Sequence, residues 1–288
     1  MFRQLLTAAL LSAALSAPAL AASAAVSAAE AVGAAKEQFP PFVPVEAKLT
    51  EGERLTYQIK WGAVDAGQAV LSVKRRERFG PDGAEVWNVQ CETRSNAFVS
   101  MFYEVRDDIK TLIDVKEGFA RHFDMKKNEG SFHGSEQIQF DYEKNLAEYT
   151  RTEKGTFADK VRNRKVSLPG KIHDPMSCLY YIRGLDLKPG SEHKLAVNTD
   201  RKNWVLTLKT LRVEEMFQKD LGALKALVVE PEAQFQGIFV RKGKMTVWLE
   251  ESTKIPLMMK VDVPIGSVTA TLVKAEGTPL TAKPGEKK

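Results

Sequence analysis

At 288 residues the chain is long enough for one large domain or for two domains of ordinary size. Hydrophobic residues make up 43% and charged residues 27%, a composition typical of a globular protein with a buried core and unlike that of a disordered chain. The formal net charge of +5 is spread along the chain instead of being gathered into a basic arm, which argues against nucleic-acid binding.

Residues 1–21 have the form of a secretory signal peptide. Arg3 supplies a short basic region, residues 5–15 are apolar, and Ala19-Leu20-Ala21 fits the small-x-small cleavage rule. The alternative, a transmembrane anchor, is disfavoured because the apolar run is short and has no basic flank. We therefore predict an exported, periplasmic protein that does not span the membrane after cleavage, with residues 22–44 as an Ala- and Pro-rich spacer.

The first strand pair sets the pattern for most of the chain. Leu55, Tyr57, Ile59 and Trp61 alternate with polar residues, and the alternation resumes after a glycine-containing turn at 62–67. A period of two places one set of side chains on one face of a strand and the other set on the opposite face. The segment 52–73 therefore predicts a β-hairpin with one buried face and one hydrated face.

Similar alternation recurs downstream. It predicts strands over 85–94, 102–115, 119–125, 136–142, 146–152, 161–168, 194–199, 204–213, 224–230, 235–240, 244–250, 255–263 and 267–273. Asp107 falls on the apolar phase of its strand, which suggests a bend or bulge at that position.

One segment has helical features instead. Asp174 is a suitable N-cap, Pro175 suits the first helical position, and Gly184 is available as a left-handed C-terminal residue. These signals predict one short helix near 175–183.

Many strands with little helix between them favour antiparallel pairing, and a sheet this large must curl, close or split. We expect an all-β, mainly antiparallel fold, a large rolled sheet or partly open β-barrel, in a single domain over 45–275, followed by a disordered tail at 276–288. An outer-membrane barrel is disfavoured because the strands are irregular in length and carry many charges.

Several short motifs occur in a characteristic order. They are Gly52-Glu53-x-Leu55-x-Tyr57, Trp61-Gly62, Ala66-Gly67, Asp174-x-x-Ser177-x-Leu179-Tyr180-Tyr181-x-Arg183, Leu187-x-Pro189-Gly190, Val247-Trp248-Leu249 and Ile255-Pro256. In this order the chain resembles an exported bacterial family known as domain of unknown function 3108, over roughly residues 45–275. The resemblance implies a periplasmic β-rich domain and carries no catalytic residue. The turn Glu251–Lys254 departs from the Asp and Arg that the family often has there.

Six aromatic residues are candidates for the lining of a ligand cavity inside a rolled sheet, although ordinary core filling is the favoured explanation for them. They are Tyr57, Trp61, Trp87, Tyr103, Trp204 and Trp248. Cys91 and Cys178 are candidates for a disulfide in an oxidising compartment; two buried, unpaired thiols are the alternative.

No catalytic motif is present. His173, Asp174 and Ser177 are close in sequence, but Asp174 is explained by helix capping and there is no Gly-x-Ser-x-Gly elbow. Glu53, Asp65 and Asp107 are carboxylates that a glycosidase would need as a pair, but turns and strand ends account for the first two. The histidines lack metal-site spacing, so we expect no catalytic residues, no metal and no cofactor.

A loop at 130–134, with Arg121, Lys126 and Lys127 nearby, is a candidate contact for a polyanion or a lipid head group, and a solvated surface is the alternative. Taken together, the sequence predicts a non-catalytic exported β-domain that binds an envelope component, a lipid or acyl chain or a glycan. The alternatives are an envelope scaffold that binds a protein partner and a hydrolase with a dispersed site.

Overall fold

The protein is described from a computed structural model. The structure describes residues 39–46, 48–155, 158–218, 222–235, 238–239 and 244–280. The predicted signal peptide, most of the predicted spacer and most of the predicted tail lie outside the described residues.

Nearly all of the regular structure is β-strand. The strands are β1 (Arg54–Trp61), β2 (Val64–Phe79), β3 (Ala84–Ser95), β4 (Arg106–Asp114), β5 (Ala120–Glu129), β6 (Phe132–Asp141), β7 (Leu146–Glu153), β8 (Lys160–Ser167), β9 (Glu192–Thr199), β10 (Lys202–Gln218), β11 (Gly222–Phe235), β12 (Ile238–Phe239), β13 (Met245–Glu250), β14 (Pro256–Asp262) and β15 (Ser267–Glu276). The helices are α1 (Ala97–Ser100) and α2 (Pro175–Tyr181), and a 3-10 turn, Ile182–Gly184, follows α2.

All strands belong to one antiparallel sheet in the order β8-β7-β6-β5-β4-β3-β2-β1-β15-β14-β13-β11-β10-β9, with β12 paired to β11. The first and last strands of the chain pair with each other in the middle of the sheet, from Arg54 opposite Glu276 to Trp61 opposite Val268. The two edges are β8 and β9, and no ladder among the described residues joins them, so the sheet is not closed. We call the gap between these two edges the seam. The predicted all-β fold with one short helix near 175–183 is confirmed.

Alternation along each strand directs one row of side chains into the core. On β1, Leu55, Tyr57 and Ile59 are buried, whereas Arg54 and Lys60 are exposed. The same alternation fills the inner face of the neighbouring strands and gives one continuous hydrophobic core.

Helix α2 fills the interior of the rolled sheet. It begins at Asp174, whose carboxylate accepts hydrogen bonds from the backbone N–H groups of Met176 and Ser177 at 2.7 and 2.8 Å. The segment before it pairs with β9, since His173 forms a parallel bridge with Val197. Met176 is fully buried, so α2 supplies core side chains across the open part of the sheet.

The end of α2 differs from the prediction. Gly184 lies in the 3-10 turn and is not left-handed, and Ile182 is the C-cap residue with φ −60°. A Cβ atom at position 184 would meet Val45 Cγ1 at 2.2 Å. Glycine is therefore required here by the close approach of Val45 and Glu46 and not by helix termination.

The strand predicted over 102–115 starts later than expected. Residues 97–100 form α1, capped by the side chain of Asn96, and β4 begins at Arg106. Asp107 lies in a regular ladder opposite Thr93, and no register shift occurs there. The predicted bend or bulge at Asp107 is therefore wrong, and its carboxylate simply points into the core side of the sheet.

Candidate functional site

The inner face of the sheet changes character from β3 to β8. Directly opposed residues of antiparallel strands share a face, so the pairing register orders them into rows. One such row runs from Cys91 on β3 through Ile109, Met125, Glu136, Arg151 and Arg162 on β8. The row is apolar over the first three strands and charged over the last three, which lead to the seam.

The rows on either side follow the same trend. Tyr149 of β7 is buried in the core, and its partner on β8 is the exposed Arg164. On the other side of the Arg151 row, Glu153 of β7 pairs with the exposed Lys160 of β8. Positions that are core positions elsewhere in the sheet therefore carry basic side chains beside the seam.

The turn between β9 and β10 faces these rows from across the seam. Both Asp200 and Arg201 in this turn have positive φ, and their charges act on Glu136 and on Tyr149. We call the combined set the charged mouth. It consists of Lys127, Glu136, Arg151, Glu153, Lys160, Arg162, Arg164, Asp200 and Arg201.

The charged residues of the mouth form ion pairs, and burial shifts the pKa of one of them. Arg151 contacts Glu153 at 2.9 Å, and Arg162 lies 4.0 Å from the same carboxylate. Burial raises the pKa of Glu136, although Arg151 and Arg201 oppose this shift. Six of the nine residues of the mouth are basic and three are acidic, so basic groups are in excess there.

The floor of the mouth joins the two edges of the sheet. Tyr149 on β7 donates a hydrogen bond of 2.6 Å to Asn198 Oδ1 on β9, and both side chains are buried. Asn198 Nδ2 donates to Asn203 Oδ1 at 2.7 Å, and Asn203 Nδ2 donates to the carbonyl of Ser167 on β8 at 2.7 Å. This chain of hydrogen bonds fixes the width of the seam.

A buried pair of acidic residues lies at the end of the mouth. Glu129 and Asp107 are both buried, and Lys127 approaches Glu129 at 3.6 Å. Burial, together with the neighbouring Asp107 carboxylate, raises the pKa of Glu129 to about 7, although Lys127 opposes the shift. Part of the acidic charge beside the mouth is therefore neutralised near pH 7.

The six aromatic residues predicted to line a cavity lie on different elements. Tyr57 is buried and donates to the carbonyl of Pro256 at 2.9 Å, and Trp87 is buried beneath Arg76, whose guanidinium lies 4.4 Å from the ring centroid. Trp204 is buried and donates to the carbonyl of Thr199 at 3.2 Å.

The other three are only partly buried. Trp61 donates to the carbonyl of Ile265 at 2.8 Å, Tyr103 packs against Gly130, and Trp248 donates to the carboxylate of Glu214. A common role for the six rings as the lining of an apolar cavity stays a prediction.

Both cysteines are free in the structure, which has two buried thiols and not the candidate Cys91–Cys178 disulfide. Cys91 faces the core from β3, with its sulfur 3.9 Å from Thr93 Oγ1, and Cys178 is buried on α2. Burial raises the pKa of each thiol to about 12. Each thiol is packed as a small apolar side chain.

His173, Asp174 and Ser177 form a helix cap. Ser177 Oγ accepts from Asp174 N–H at 2.9 Å and donates to the Asp174 carbonyl at 3.1 Å. The His173 ring packs against Tyr181, with centroids 4.2 Å apart, and burial lowers its pKa to about 3. Burial raises the pKa of Asp174 to about 6, although Thr111 donates a hydrogen bond to it. This geometry gives the hydrolase alternative no support.

The three carboxylates considered as a glycosidase pair are separated. Glu53 precedes β1 and binds Arg183, Asp65 lies near the start of β2, at the opposite end of the first hairpin, and Asp107 faces Glu129. The basic residues expected near the 130–134 loop also lie apart from one another. Arg121 pairs with Asp82 and Asp114 near the other end of the strands.

Lys127 and Lys126 are adjacent on β5 and therefore point to opposite faces, so only Lys127 belongs to the mouth. The other basic residues of the mouth escaped the sequence analysis. Strand β8 has the sequence KVRNRKVS, in which neither phase is apolar, so its inner face has no signal of its own. The inner face of β8 is identified only by its pairing with β7, where Ala147 and Tyr149 are core residues. The sequence alone does not contain this pairing.

Within the described ranges, no helix is both long and apolar enough to cross a bilayer. A comparison with curated protein sequences finds no match.

Three solved structures match the chain at low sequence identity. A β-barrel-like protein of domain of unknown function DUF1849 from Brucella abortus has a TM-score of 0.50 and 11% identity, covering 79% of this chain and 99% of that chain. A candidate lipoprotein from Parabacteroides distasonis has a TM-score of 0.34 and 10% identity, covering 81% and 99%. A candidate exported protein with a YmcC-like fold from Bacteroides fragilis has a TM-score of 0.30 and 10% identity, also covering 81% and 99%.

The first of these likenesses supports the β-barrel-like fold alone, because the identity is low. The family comparison is more specific. The model described as "Protein of unknown function (DUF3108)" matches residues 56–273, which is most of the chain and contains the whole charged mouth. The chain therefore belongs to the DUF3108 family.

Proposed function

We propose that this chain is an exported periplasmic protein with a single β-domain over residues 45–275, which binds an anionic envelope component at the charged mouth. The observation that carries the proposal is the placement of Arg151, Arg162, Arg164 and Lys160 on the inner face of the sheet, beside the seam. Export is supported by the predicted signal peptide at residues 1–21.

Arginine at these positions favours a ligand with a phosphate or carboxylate group. A guanidinium group is planar and always charged, and it binds such groups through two parallel hydrogen bonds. Arg162 is 60% exposed and Arg151 is 32% exposed, so both remain accessible although they lie on the face that is elsewhere the core.

The ligand lies at the mouth in this proposal and not deep in the sheet. Met176 and Tyr180 of α2 are buried within the rolled sheet and occupy its apolar interior. A phosphate-bearing lipid head group and an acidic glycan present the same anionic chemistry to the mouth, and the experiment below distinguishes between them.

Native mass spectrometry of the full chain, after incubation with an envelope extract, tests the proposal. The wild type should carry an anionic adduct, and fragmentation with lipid extraction tells a phospholipid from a glycan. The variant Arg151→Ala/Arg162→Ala should lose the adduct. The control Arg75→Ala/Arg78→Ala, which removes the same charge from exposed positions on β2, should keep it. An adduct retained equally by all three proteins, a neutral adduct, or no adduct on the wild type would overturn the proposal.

A further inference from the structure

The two ends of the sheet differ in the side chains that they expose. Eleven large apolar side chains are exposed among the described residues. Six of these lie on four hairpins: Val64 at β1–β2, Phe98, Met101 and Phe102 at β3–β4, Phe132 at β5–β6, and Ile265 at β14–β15. We call these six residues the apolar tips.

The four hairpins are neighbours in space although they are distant in sequence. Strands β6, β5, β4, β3, β2, β1, β15 and β14 follow one another in the sheet, so their alternate hairpins emerge at the same end. The turns at the opposite end of these strands span 80–83, 115–119, 142–145 and 251–255, and none of them has an exposed large apolar side chain. The exposed Phe217 near that end lies on β10 and in none of these turns. The end of the sheet that carries the apolar tips therefore faces a different environment from the opposite end.

Hydrogen bonds hold the tip-bearing hairpins together. Asn96 donates to the carbonyls of Asp65 and Ala66 at 2.7 and 3.0 Å and so joins β3–β4 to β1–β2. Gly130 N–H donates to the Glu104 carbonyl at 2.8 Å and joins β5–β6 to β3–β4. The indole of Trp61 joins β1–β2 to β14–β15. The tips are thus presented by a cross-linked platform.

The most exposed tips lie on α1 and the residues that follow it. Phe98, Met101 and Phe102 are 60%, 71% and 73% exposed, and the rings of Phe98 and Phe102 pack edge to face at 5.7 Å. Exposed apolar groups of this size mark an interaction surface. The Asn96 cap fixes their direction, because its side chain accepts from Val99 N–H.

We propose that the apolar tips enter the surface of a lipid bilayer. Partly buried Trp61 and Tyr103 lie directly behind the tips, and rings with a polar group are favoured at the level of lipid head groups. Acidic residues are also exposed at this end, where Asp65 accepts a hydrogen bond from Gln58 and Glu104 pairs with Arg106. Lys60 on β1 and Lys126 on β5 are exposed and, among the described residues, form no ion pair. Their charge complements anionic lipid phosphates.

A fluid bilayer fits this surface better than a protein partner does. The tips stand on four separate turns, with polar groups such as Asn96, Ser100 and Ser131 between them. Separate apolar side chains can each enter an apolar fluid without any matching shape, whereas a protein interface needs a continuous complementary face.

Vesicle flotation with the full chain tests this proposal. Wild type should float with vesicles of phosphatidylethanolamine and phosphatidylglycerol. Phe98→Ser/Met101→Ser/Phe102→Ser should reduce the bound fraction at least about tenfold, since three apolar side chains lose their burial in lipid. The matched control is Phe217→Ser, which removes a 79% exposed phenylalanine from the end of β10 near the opposite end of the sheet, and it should float like wild type.

A second measurement guards against a folding defect in the triple variant. Phe102→Trp should give a blue-shifted tryptophan difference spectrum when vesicles are added. Equal flotation of all variants, loss of flotation in Phe217→Ser, or no spectral shift would overturn the proposal. Dissociation of a wild-type dimer by the triple variant in light scattering would also overturn it, because the tips would then bind a second copy.

This inference goes beyond the proposed function, and its failure is distinguishable from a failure of the mouth. Insertion of the tips into phosphatidylcholine vesicles requires no anionic ligand, so Arg151→Ala/Arg162→Ala should still float with them. The triple tip variant should still acquire the anionic adduct in native mass spectrometry.

Discussion

Arg183 donates a hydrogen bond to each carboxylate oxygen of Glu53, at 2.7 and 2.9 Å, and both side chains are buried. Glu53 lies just before β1 and Arg183 in the 3-10 turn after α2, so this ion pair ties the internal helix to the strand at the middle of the sheet. The Arg183 guanidinium also lies 5.5 Å from the centroid of the Tyr180 ring.

Removing one partner of this ion pair should be far more damaging than removing both. Arg183→Met leaves Glu53 charged and buried, and we expect a loss of about 3–5 kcal/mol in the free energy of unfolding. Glu53→Leu/Arg183→Met leaves no charge, so it should recover most of that loss. Urea denaturation measures both. A double variant as unstable as the single variant would show that the pair contributes mainly through its own attraction.

The raised pKa of Glu129 predicts a specific pH dependence of stability. Its ordinary value is 4.5 and burial raises it to about 7 in the folded protein. Between these pH values the unfolded chain releases its proton while the folded protein retains it. The contribution of Glu129 to the free energy of unfolding therefore falls as the pH rises through this window, by at most about 3 kcal/mol.

Glu129→Gln should remove this dependence and stabilise the protein above pH 7, because glutamine keeps the site neutral. Thermal unfolding measured from pH 4 to pH 8 compares it with wild type and with Glu143→Gln, which changes an exposed turn residue. A Glu129→Gln profile parallel to that of wild type would contradict the assignment.

The thiols should be unreactive in the folded protein. Burial raises the pKa of Cys91 and of Cys178 to about 12, so neither is a thiolate near neutral pH. A thiol reagent should modify neither residue in native buffer and both residues in denaturant without reductant. Protein that shows no free thiol in denaturant would contain the disulfide and would contradict the structure.

The hydrogen bond from Tyr149 to Asn198 across the seam should contribute to the free energy of unfolding. Tyr149→Phe leaves Asn198 Oδ1 without its buried donor, and we expect a cost of about 1–3 kcal/mol. Tyr180→Phe is the matched control, because the Tyr180 hydroxyl is buried with no partner among the described residues. We expect this change to be neutral or stabilising in urea denaturation. Equal costs for the two variants would show that the seam bond has no special role.

Local patterns in the sequence predicted much of the fold. The alternation of Leu55, Tyr57 and Ile59 identified the inner face of β1, because strand geometry alone fixes that phase. Asp174 and Pro175 identified the start of α2, because capping depends on neighbouring residues only. The left-handed role offered for Gly184 was wrong, because the glycine serves a close approach to Val45, which is far away in the sequence.

The charged mouth depends on information that no local pattern contains. Arg151 lies in a strand whose alternation is clear, but its partner Arg162 lies in a strand without an apolar phase. Which phase of β8 faces inward is set by its register with β7. The approach of Asp200 and Arg201 depends on how far the whole sheet curls, which is a sum over many strands.

Calorimetric titration of the mouth tests the central claim most directly. Two probes, dihexanoyl phosphatidylglycerol and an oligosaccharide of uronic acids, represent the two sources of the anion. We predict that at least one binds wild type and Arg75→Ala/Arg78→Ala alike. The same probe should bind Arg151→Ala/Arg162→Ala about 100-fold more weakly, since two charge-assisted hydrogen-bonding groups are lost. Equal affinity for all three proteins, or binding of neither probe to wild type, would contradict the claim that the charged mouth is an anion-binding site.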